Sequence, residues 1–140
     1  MTALADVNVL VALVWEAHIH HAATRRWYAA LGAETWATTP VTQTGFVRVS
    51  SNPAAVGEAL AVREAVAVLA ALIKTPSHRF LPDDAGFVDN ALVPHERLVG
   101  HRQVTDAHLL GIARRHGARV VTFDRAMTGL GSDDVHVIAV

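Results

Sequence analysis

The chain contains no cysteine among its 140 residues. This absence excludes disulfide bonds and metal sites built on thiolates. Because proteins without disulfides are typical of a reducing compartment, we expect a cytoplasmic protein. The N-terminal residues carry no basic segment ahead of their apolar stretch, so no signal peptide is predicted.

Long hydrophobic runs are also missing. Hydrophobic residues make up 51% of the chain, yet no uninterrupted run reaches the roughly 18 residues that a membrane-spanning helix needs. The sequence therefore predicts no membrane partner.

An excess of positive charge is absent as well. Twelve basic and thirteen acidic side chains give a net charge of −1, so no global positive field points to nucleic acid. Lys74 is the only lysine, and all other basic side chains are arginines. Guanidinium groups suit bidentate phosphate contacts, which is compatible with an RNA-binding surface. A compositional bias accounts for the arginines equally well.

Strand patterns alternate with helix patterns along the whole chain. The predicted strands are 3–5, 34–38, 78–81, 119–123 and 135–140. The predicted helices are one capped by Asn8, then 22–31, 41–50 and 54–74, a short turn capped by Asp83 and Asp84, and one that opens at Gln103 or Thr105 and ends at Gly117. This alternation predicts a single α/β domain over 1–140, with a mainly parallel sheet of four or five strands flanked by helices.

Three aspartates lie at related places in this pattern. Asp6 and Asp124 each directly follow a predicted strand, and the carboxyl ends of strands are where open α/β sheets bind ligands. Asp106 lies in the first turn of a helix and shares a face with Leu109 and Leu110, so its carboxylate points toward the packed side. If the first and fourth strands are neighbours, all three carboxylates converge.

Such a group of acids has a limited set of chemical roles. Two carboxylates ~4 Å apart repel by roughly 4 kcal/mol at an effective dielectric of about 20, so a cluster persists only with a cation or with bound protons. Oxygen ligands favour Mg²⁺ or Mn²⁺, and such ions activate water for phosphodiester hydrolysis. Alternatively, each acid has a separate structural role, as a turn residue, a helix-start charge or an Asx turn.

Five spaced segments resemble a known family. They are LADVNVLVAL at 4–13, the pair His18 and His21 with Trp27 after it, GFVRVSSNP at 45–53, VTDAHLL at 104–110, and TFDR at 122–125. In this order the segments resemble PIN-domain ribonucleases of the VapC toxin type, over nearly the whole chain. The resemblance implies a three-layer PIN-like fold and a Mg²⁺- or Mn²⁺-dependent endoribonuclease. It also implies a homodimer and a small cognate antitoxin as the inhibiting partner.

The resemblance assigns roles by position. Asp6, Asp106 and Asp124 match the metal-binding acids of the family, so they are the predicted catalytic residues and metal ligands. Thr122 matches a common active-site hydroxyl. The predicted substrate-binding residues are Thr122, Arg48 and Asn8.

One expected acid is missing. Many members carry a glutamate three residues before the position of Arg48, where this chain has Gly45, and 41–50 contains no acid at all. Three carboxylates suffice for one metal ion. A second ion would require water, Gln43, or an acid from elsewhere such as Asp84 or Asp89, so the number of ions stays open.

Two groups of basic side chains have more than one interpretation. The three histidines at 18, 20 and 21, with Glu16, have the chemistry of a transition-metal site. Helix-start and packing roles are favoured, because no fourth ligand follows at a fixed spacing. Arg48 and Arg125 either orient RNA phosphates or neutralise Asp6 or Asp124 in ion pairs.

Three functions compete at this stage. The first is a toxin endoribonuclease in which the aspartates hold a metal that activates water. The second is a non-catalytic PIN-like binding protein that has lost its metal through the change at Gly45. The third is phosphoryl transfer to an aspartate, as in haloacid-type phosphatases or receiver domains, because Asp6 and Asn8 are spaced like an Asp-x-Asp site. Those families use a lysine near the phosphate, and Lys74 ends a predicted helix instead of following a strand.

Overall fold

The computed structural model describes residues 1–140. Its strands are β1 (Ala3–Ala5), β2 (Trp36–Thr38), β3 (His78–Phe80), β4 (Arg119–Thr122) and β5 (Val135–Val137). Its helices are α1 (Val7–Val14), α2 (His21–Ala29), α3 (Pro40–Ser50), α4 (Pro53–Val56), α5 (Val62–Leu72) and α6 (Val104–Arg115). Short 3₁₀ turns cover His95–Arg97, His101–Gln103, Arg125–Gly129 and Ser132–Asp134. The predicted α/β class is confirmed.

All five strands are parallel and lie in the order β3-β2-β1-β4-β5. The chain builds outward from β1 to β3 and then crosses to the other side of β1 to form β4. The strand order therefore reverses between β1 and β4, and ligands bind at such a switch point, beyond the carboxyl ends of the strands. These two strands are neighbours, as the grouping of the three aspartates requires, since Ala5 pairs with Val121.

The sheet has a hydrophobic core on each face. Leu4 and Val120 belong to one core together with the buried side of α6, whereas Ala5 and Val121 belong to the other, with Leu10 of α1 and buried residues of α2, α3 and α5. Because side chains alternate between the faces of a strand, neighbouring residues enter different cores. The result is the predicted three-layer arrangement of helices, sheet and helices.

The single helix predicted for 54–74 is wrong. Asn52 caps α4 by accepting a hydrogen bond from the Ala54 backbone N–H, and α4 ends at Gly57, whose φ is 74°. A left-handed backbone cannot continue a right-handed helix, and glycine adopts it at little cost. The second helix, α5, begins only at Val62.

Two predicted helix starts are also wrong. The cap of α1 is Asp6, whose Oδ1 accepts a hydrogen bond from the Val7 backbone N–H, whereas Asn8 lies inside the helix. Asp83 and Asp84 start no helix. They accept hydrogen bonds from His108 Nε2 and His116 Nε2 respectively, each at 2.8 Å, and so attach the segment after β3 to α6.

None of the six α-helices combines the length and the apolar character that spanning a membrane requires. The remaining predicted elements are present with shifted ends. The largest difference is that β5 ends at Val137 instead of position 140. β2 starts at Trp36 instead of position 34, and α2 ends at Ala29 instead of position 31.

Candidate active site

Asp6 lies at the junction of β1 and α1. Its Oδ1 accepts a hydrogen bond from the Val7 backbone N–H at 2.7 Å, and its Oδ2 accepts one from the Thr122 hydroxyl at 2.8 Å. The carboxylate therefore caps the N-terminus of α1, where the helix dipole favours negative charge. Strand pairing brings Thr122, at the end of β4, to this junction.

The Thr122 hydroxyl joins the ends of the two central strands. It donates to Asp6 and accepts hydrogen bonds from Asn8 Nδ2 at 3.2 Å and from the Asp124 backbone N–H at 3.1 Å. One donated and two accepted bonds use the full capacity of a hydroxyl, and Thr122 is fully buried. Asn8 Oδ1 in turn accepts from the Phe123 backbone N–H at 3.3 Å. Thr122 and Asn8 thus position the acids, and Thr122 has no free hydrogen-bonding capacity for a substrate in this arrangement.

The other two acids are held more loosely. Asp124 is exposed, and its Oδ1 accepts a hydrogen bond from the Ala126 backbone N–H at 2.9 Å. Asp106, in the first turn of α6, is half-buried and accepts no hydrogen bond from the protein. Because hydrogen bonds to a carboxylate stabilise its charge, Asp106 is the least stabilised anion of the three.

All three carboxylates line one cleft of about 420 Å³, whose other walls include Asn8 and His18. Burial raises the pKa of Asp6, the hydrogen bonds from Thr122 and Val7 oppose that shift, and the charge of Asp124 adds to it. Burial, followed by the charges of Asp6 and Asp124, raises the pKa of Asp106 to about 6. The acids are therefore close enough to repel one another.

No basic side chain neutralises this group. The salt bridges of the protein involve none of the three aspartates. Arg48 is exposed and lines a different groove, between α3 and α5, and Arg125 is exposed without an ion pair. The ion-pair interpretation of these two arginines is therefore wrong. A role for Arg48 in binding substrate stays a prediction.

The clustered histidines contact the backbone and an aromatic ring. His21 Nδ1 donates to the Ala12 carbonyl oxygen at 2.7 Å, His20 stacks on Phe123 with ring centroids 4.6 Å apart, and His18 Nδ1 accepts from the His20 backbone N–H. These contacts confirm the packing and helix-start interpretation. Only His18 lines the acidic cleft, and its sequence neighbours gave no indication of that.

The alternative ligands for a second ion are bonded elsewhere. Asp84 pairs with His116, just after the end of α6, ten residues and therefore ~15 Å along that helix from Asp106. Asp89 Oδ1 accepts a hydrogen bond from the Ala91 backbone N–H. Gln43 Nε2 donates to Thr38 Oγ1 at 3.0 Å. None of the three lines the cleft that holds the aspartates.

Gly45 has a packing reason for lacking a side chain. It is buried in α3, and a Cβ built on it would lie 2.4 Å from Val7 Cγ2. Val7 follows Asp6 directly and itself lines the acidic cleft. The residue beside one acid therefore occupies the space that a side chain at position 45 would need.

The acids suit a divalent cation by their chemistry, since they offer only oxygen ligands and carry charge that no protein cation compensates. Their side chains do not converge on one point in this structure, because no three acidic or imidazole groups are placed to hold one ion together. The phosphoryl-transfer alternative loses support. Lys74 precedes β3, and in a parallel sheet this places it at the edge opposite the carboxyl ends of the strands.

Comparisons with known proteins agree with this fold. The sequence model of the PIN domain family matches residues 3–131 of this chain. Ribonuclease VapC38 of Mycobacterium tuberculosis is 55% identical over 122 residues, which cover 87% of this chain and 84% of that protein. Ribonuclease VapC39 of the same species is 44% identical over 132 residues, which cover 94% and 95%.

A solved structure has the same architecture. The crystal structure of VapC20, a Sarcin-Ricin loop cleaving toxin of Mycobacterium tuberculosis, aligns with a TM-score of 0.69 over 92% of this chain and 95% of that one. At 15% identity this likeness concerns the fold alone. The sequence model of the family spans nearly the whole chain, and two relatives are more than 40% identical to it. The chain therefore belongs to the PIN domain family.

Proposed function

We propose that the protein is an endoribonuclease that acts as the toxin of a toxin–antitoxin pair, with Asp6, Asp106 and Asp124 as its catalytic acids. The observation that carries this proposal is that three carboxylates line one cleft at the switch point of the sheet without a basic partner. Relatives named as VapC ribonucleases support RNA as the substrate. With RNA as substrate, the proposed place of action is the cytoplasm.

We infer that the site takes a divalent cation, Mg²⁺ or Mn²⁺, on these aspartates. Bound there, such an ion supplies an activated water and charge stabilisation for phosphodiester hydrolysis. Asp6 is fixed by its two hydrogen bonds, whereas Asp106 is free of protein donors and is the acid best able to adjust to an ion. Burial, and then the charges of Asp6 and Asp124, raise the pKa of Asp106, and a bound cation would offset the repulsion among these charges.

The network around Thr122 keeps the site in order. Thr122 and Asn8 hold the ends of β1 and β4 at a fixed separation, so that Asp6 and Asp124 face the same cleft. Catalytic groups act efficiently only when their geometry is set in advance. A small antitoxin as inhibitor and a homodimer as the working assembly complete the proposal and come from the family alone.

The test is RNA cleavage by the purified protein with Mg²⁺ or Mn²⁺ and with a chelator. Asp6→Asn and Asp124→Asn should each reduce cleavage by at least about 100-fold while leaving the far-UV circular dichroism unchanged. Asp133→Asn is the matched control, because Asp133 is an exposed acid outside the cleft. Full activity of either site variant, or cleavage in the chelator, would refute the proposal. Growth arrest that a co-expressed upstream partner relieves would support the toxin assignment.

A further inference from the structure

The acidic cleft continues into a small apolar recess. The recess has a volume of about 170 Å³ and is lined by Val11, Trp15, Ala17, His18, Ala55 and Val56. Four of these residues, at 11, 18, 55 and 56, also line the acidic cleft, so the two spaces share a wall. The recess is smaller than the roughly 300–1,000 Å³ of typical small-molecule sites.

The lining indicates which kind of group fits. No carboxylate, guanidinium or ammonium group borders the recess, so it offers nothing to a phosphate. One wall carries the Trp15 indole, which is half-buried and oriented by a hydrogen bond from its Nε1 to Ser50 Oγ at 3.1 Å. An uncharged, flat ring system suits such a space, and aromatic side chains are the usual stacking partners of nucleic-acid bases.

His18 adds a directional polar group. A backbone N–H can only donate, so the bond from the His20 N–H at 3.0 Å makes His18 Nδ1 an acceptor and puts the ring proton on Nε2. His18 Nε2 has no hydrogen-bond partner in the protein. Burial, and then the charges of His20 and His21, lower the pKa of His18, which keeps this tautomer neutral near pH 7. The Nε2–H is therefore free to donate to a ring nitrogen or carbonyl oxygen.

We propose that this recess binds an unpaired nucleobase next to the phosphate held at the acidic cleft, with Trp15 stacking on the base and His18 donating to it. The inference rests on the proposed ribonuclease function, because continuity with that cleft makes RNA the occupant. The recess then determines which base flanks the cleavage site. A base within a duplex cannot enter, so the flanking nucleotide must be unstacked.

The test compares a variant whose recess is filled by a larger side chain with a matched control variant. Ala55 and Ala54 are adjacent exposed residues of α4, but only Ala55 lines the recess. Ala55→Trp therefore fills it, whereas Ala54→Trp adds the same side chain beside it. Both are made in the otherwise wild-type protein with Mg²⁺ present, and the affinities for labelled, hydrolysis-resistant phosphorothioate hexamers of adenylate, cytidylate, guanylate and uridylate are measured by fluorescence anisotropy. Circular dichroism melting checks that each variant folds.

We expect the parent and Ala54→Trp to prefer one hexamer by at least about 5-fold, which corresponds to the roughly 1 kcal/mol of one hydrogen bond from His18, and Ala55→Trp to bind all four alike. His18→Ala should reduce the preference, and His18→Gln, which keeps a donor, should restore part of it. A parent without preference, or an Ala55→Trp variant that keeps the parent's preference, would overturn the proposal. Failure of the wild-type protein to cleave RNA refutes the nuclease function instead, and the hexamer preferences report on the recess independently.

Discussion

The Thr122 hydroxyl donates to Asp6 Oδ2 across 2.8 Å, and this bond ties the end of β4 to the end of β1. The same oxygen accepts from Asn8 and from the Asp124 backbone. One buried hydroxyl therefore fixes two of the three acids. It links the stability of the fold to the geometry of the site.

Replacing Thr122 with valine keeps the shape but removes the hydroxyl. The Asn8 amide and the Asp124 N–H then lose their acceptor, and leaving buried polar groups unpaired costs about 1–3 kcal/mol. Loss of the hydrogen bond to Asp6 also removes a group that favours its ionised form. We expect the free energy of unfolding to fall by that amount in urea titrations, and cleavage to fall by about 10- to 100-fold, as for other groups that orient metal ligands.

Thr122→Ser is the control for this prediction. It keeps the hydroxyl and loses one methyl group, worth ~1 kcal/mol, and should keep most of the cleavage activity. A serine variant that loses as much activity as the valine variant would contradict the hydrogen-bond account, because serine keeps the hydroxyl.

Asp106 makes stability depend on pH. Its pKa is about 6 in the folded protein against an ordinary value of 3.8, so the folded state binds the proton more tightly between these values. The contribution of Asp106 to stability is therefore complete below about pH 4 and is lost as pH rises through about 6. Because Asp106 is partly exposed, solvent screening reduces the effect, and we expect the free energy of unfolding to fall by on the order of 1 kcal/mol.

Asp106→Asn should remove this pH dependence. Without metal, we expect the variant to melt ~3–5 °C above the wild type at pH 7.5 and at about the same temperature at pH 4. Scanning calorimetry across this range measures the difference. Asp133→Asn, at an exposed position away from the cleft, should show no such trend, and a stabilisation of Asp106→Asn that is the same at both pH values would contradict the assignment.

A divalent cation should offset the loss of stability that the ionised Asp106 causes. A ligand that binds only the folded state stabilises it by about 2.7 kcal/mol at one hundred times its dissociation constant. We therefore expect Mn²⁺ or Mg²⁺ to raise the melting temperature of the wild type at pH 7.5, and Asp6→Asn and Asp106→Asn to lose most of that rise. The Asp133→Asn variant should keep it. An equal rise in all four proteins would indicate general ionic screening and count against a site on these acids.

Much of the fold was predictable because it follows from local pattern. The β1 and β4 segments are short apolar runs next to an aspartate, whereas their pairing stayed a condition, because local pattern does not determine the order of strands in a sheet. The break at Gly57 was missed because the apolar spacing of 54–74 continues through it, whereas the left-handed backbone that ends α4 is set by its surroundings. Glycine permits that conformation without requiring it.

The three acids that line the cleft were predictable, and the walls around them were not. Asp6, Asp106 and Asp124 stand at the ends of elements, and chain order and topology suffice to bring them together. His18 and Val56 reach the same cleft from a loop and a four-residue helix whose positions depend on tertiary packing. The role of Asp6 as the α1 cap was assigned to Asn8 instead, because both residue types are good caps.

The packing between Gly45 and Val7 leads to a prediction about the missing acid. A Cβ at position 45 would lie 2.4 Å from Val7 Cγ2 but 3.4 Å from Val7 Cβ. Gly45→Ala should therefore overpack the wild type, by about 1–3 kcal/mol, and this outweighs the gain of up to ~1 kcal/mol from placing alanine in a helix. With Val7→Ala as background, the clash disappears and Gly45→Ala should become stabilising.

Urea unfolding of the four proteins gives the coupling free energy, and additivity within about 0.5 kcal/mol would show that the two positions are independent. Strong coupling would mean that a glutamate at position 45 requires a smaller residue at position 7, so that the acid is absent here because Val7 fills its space.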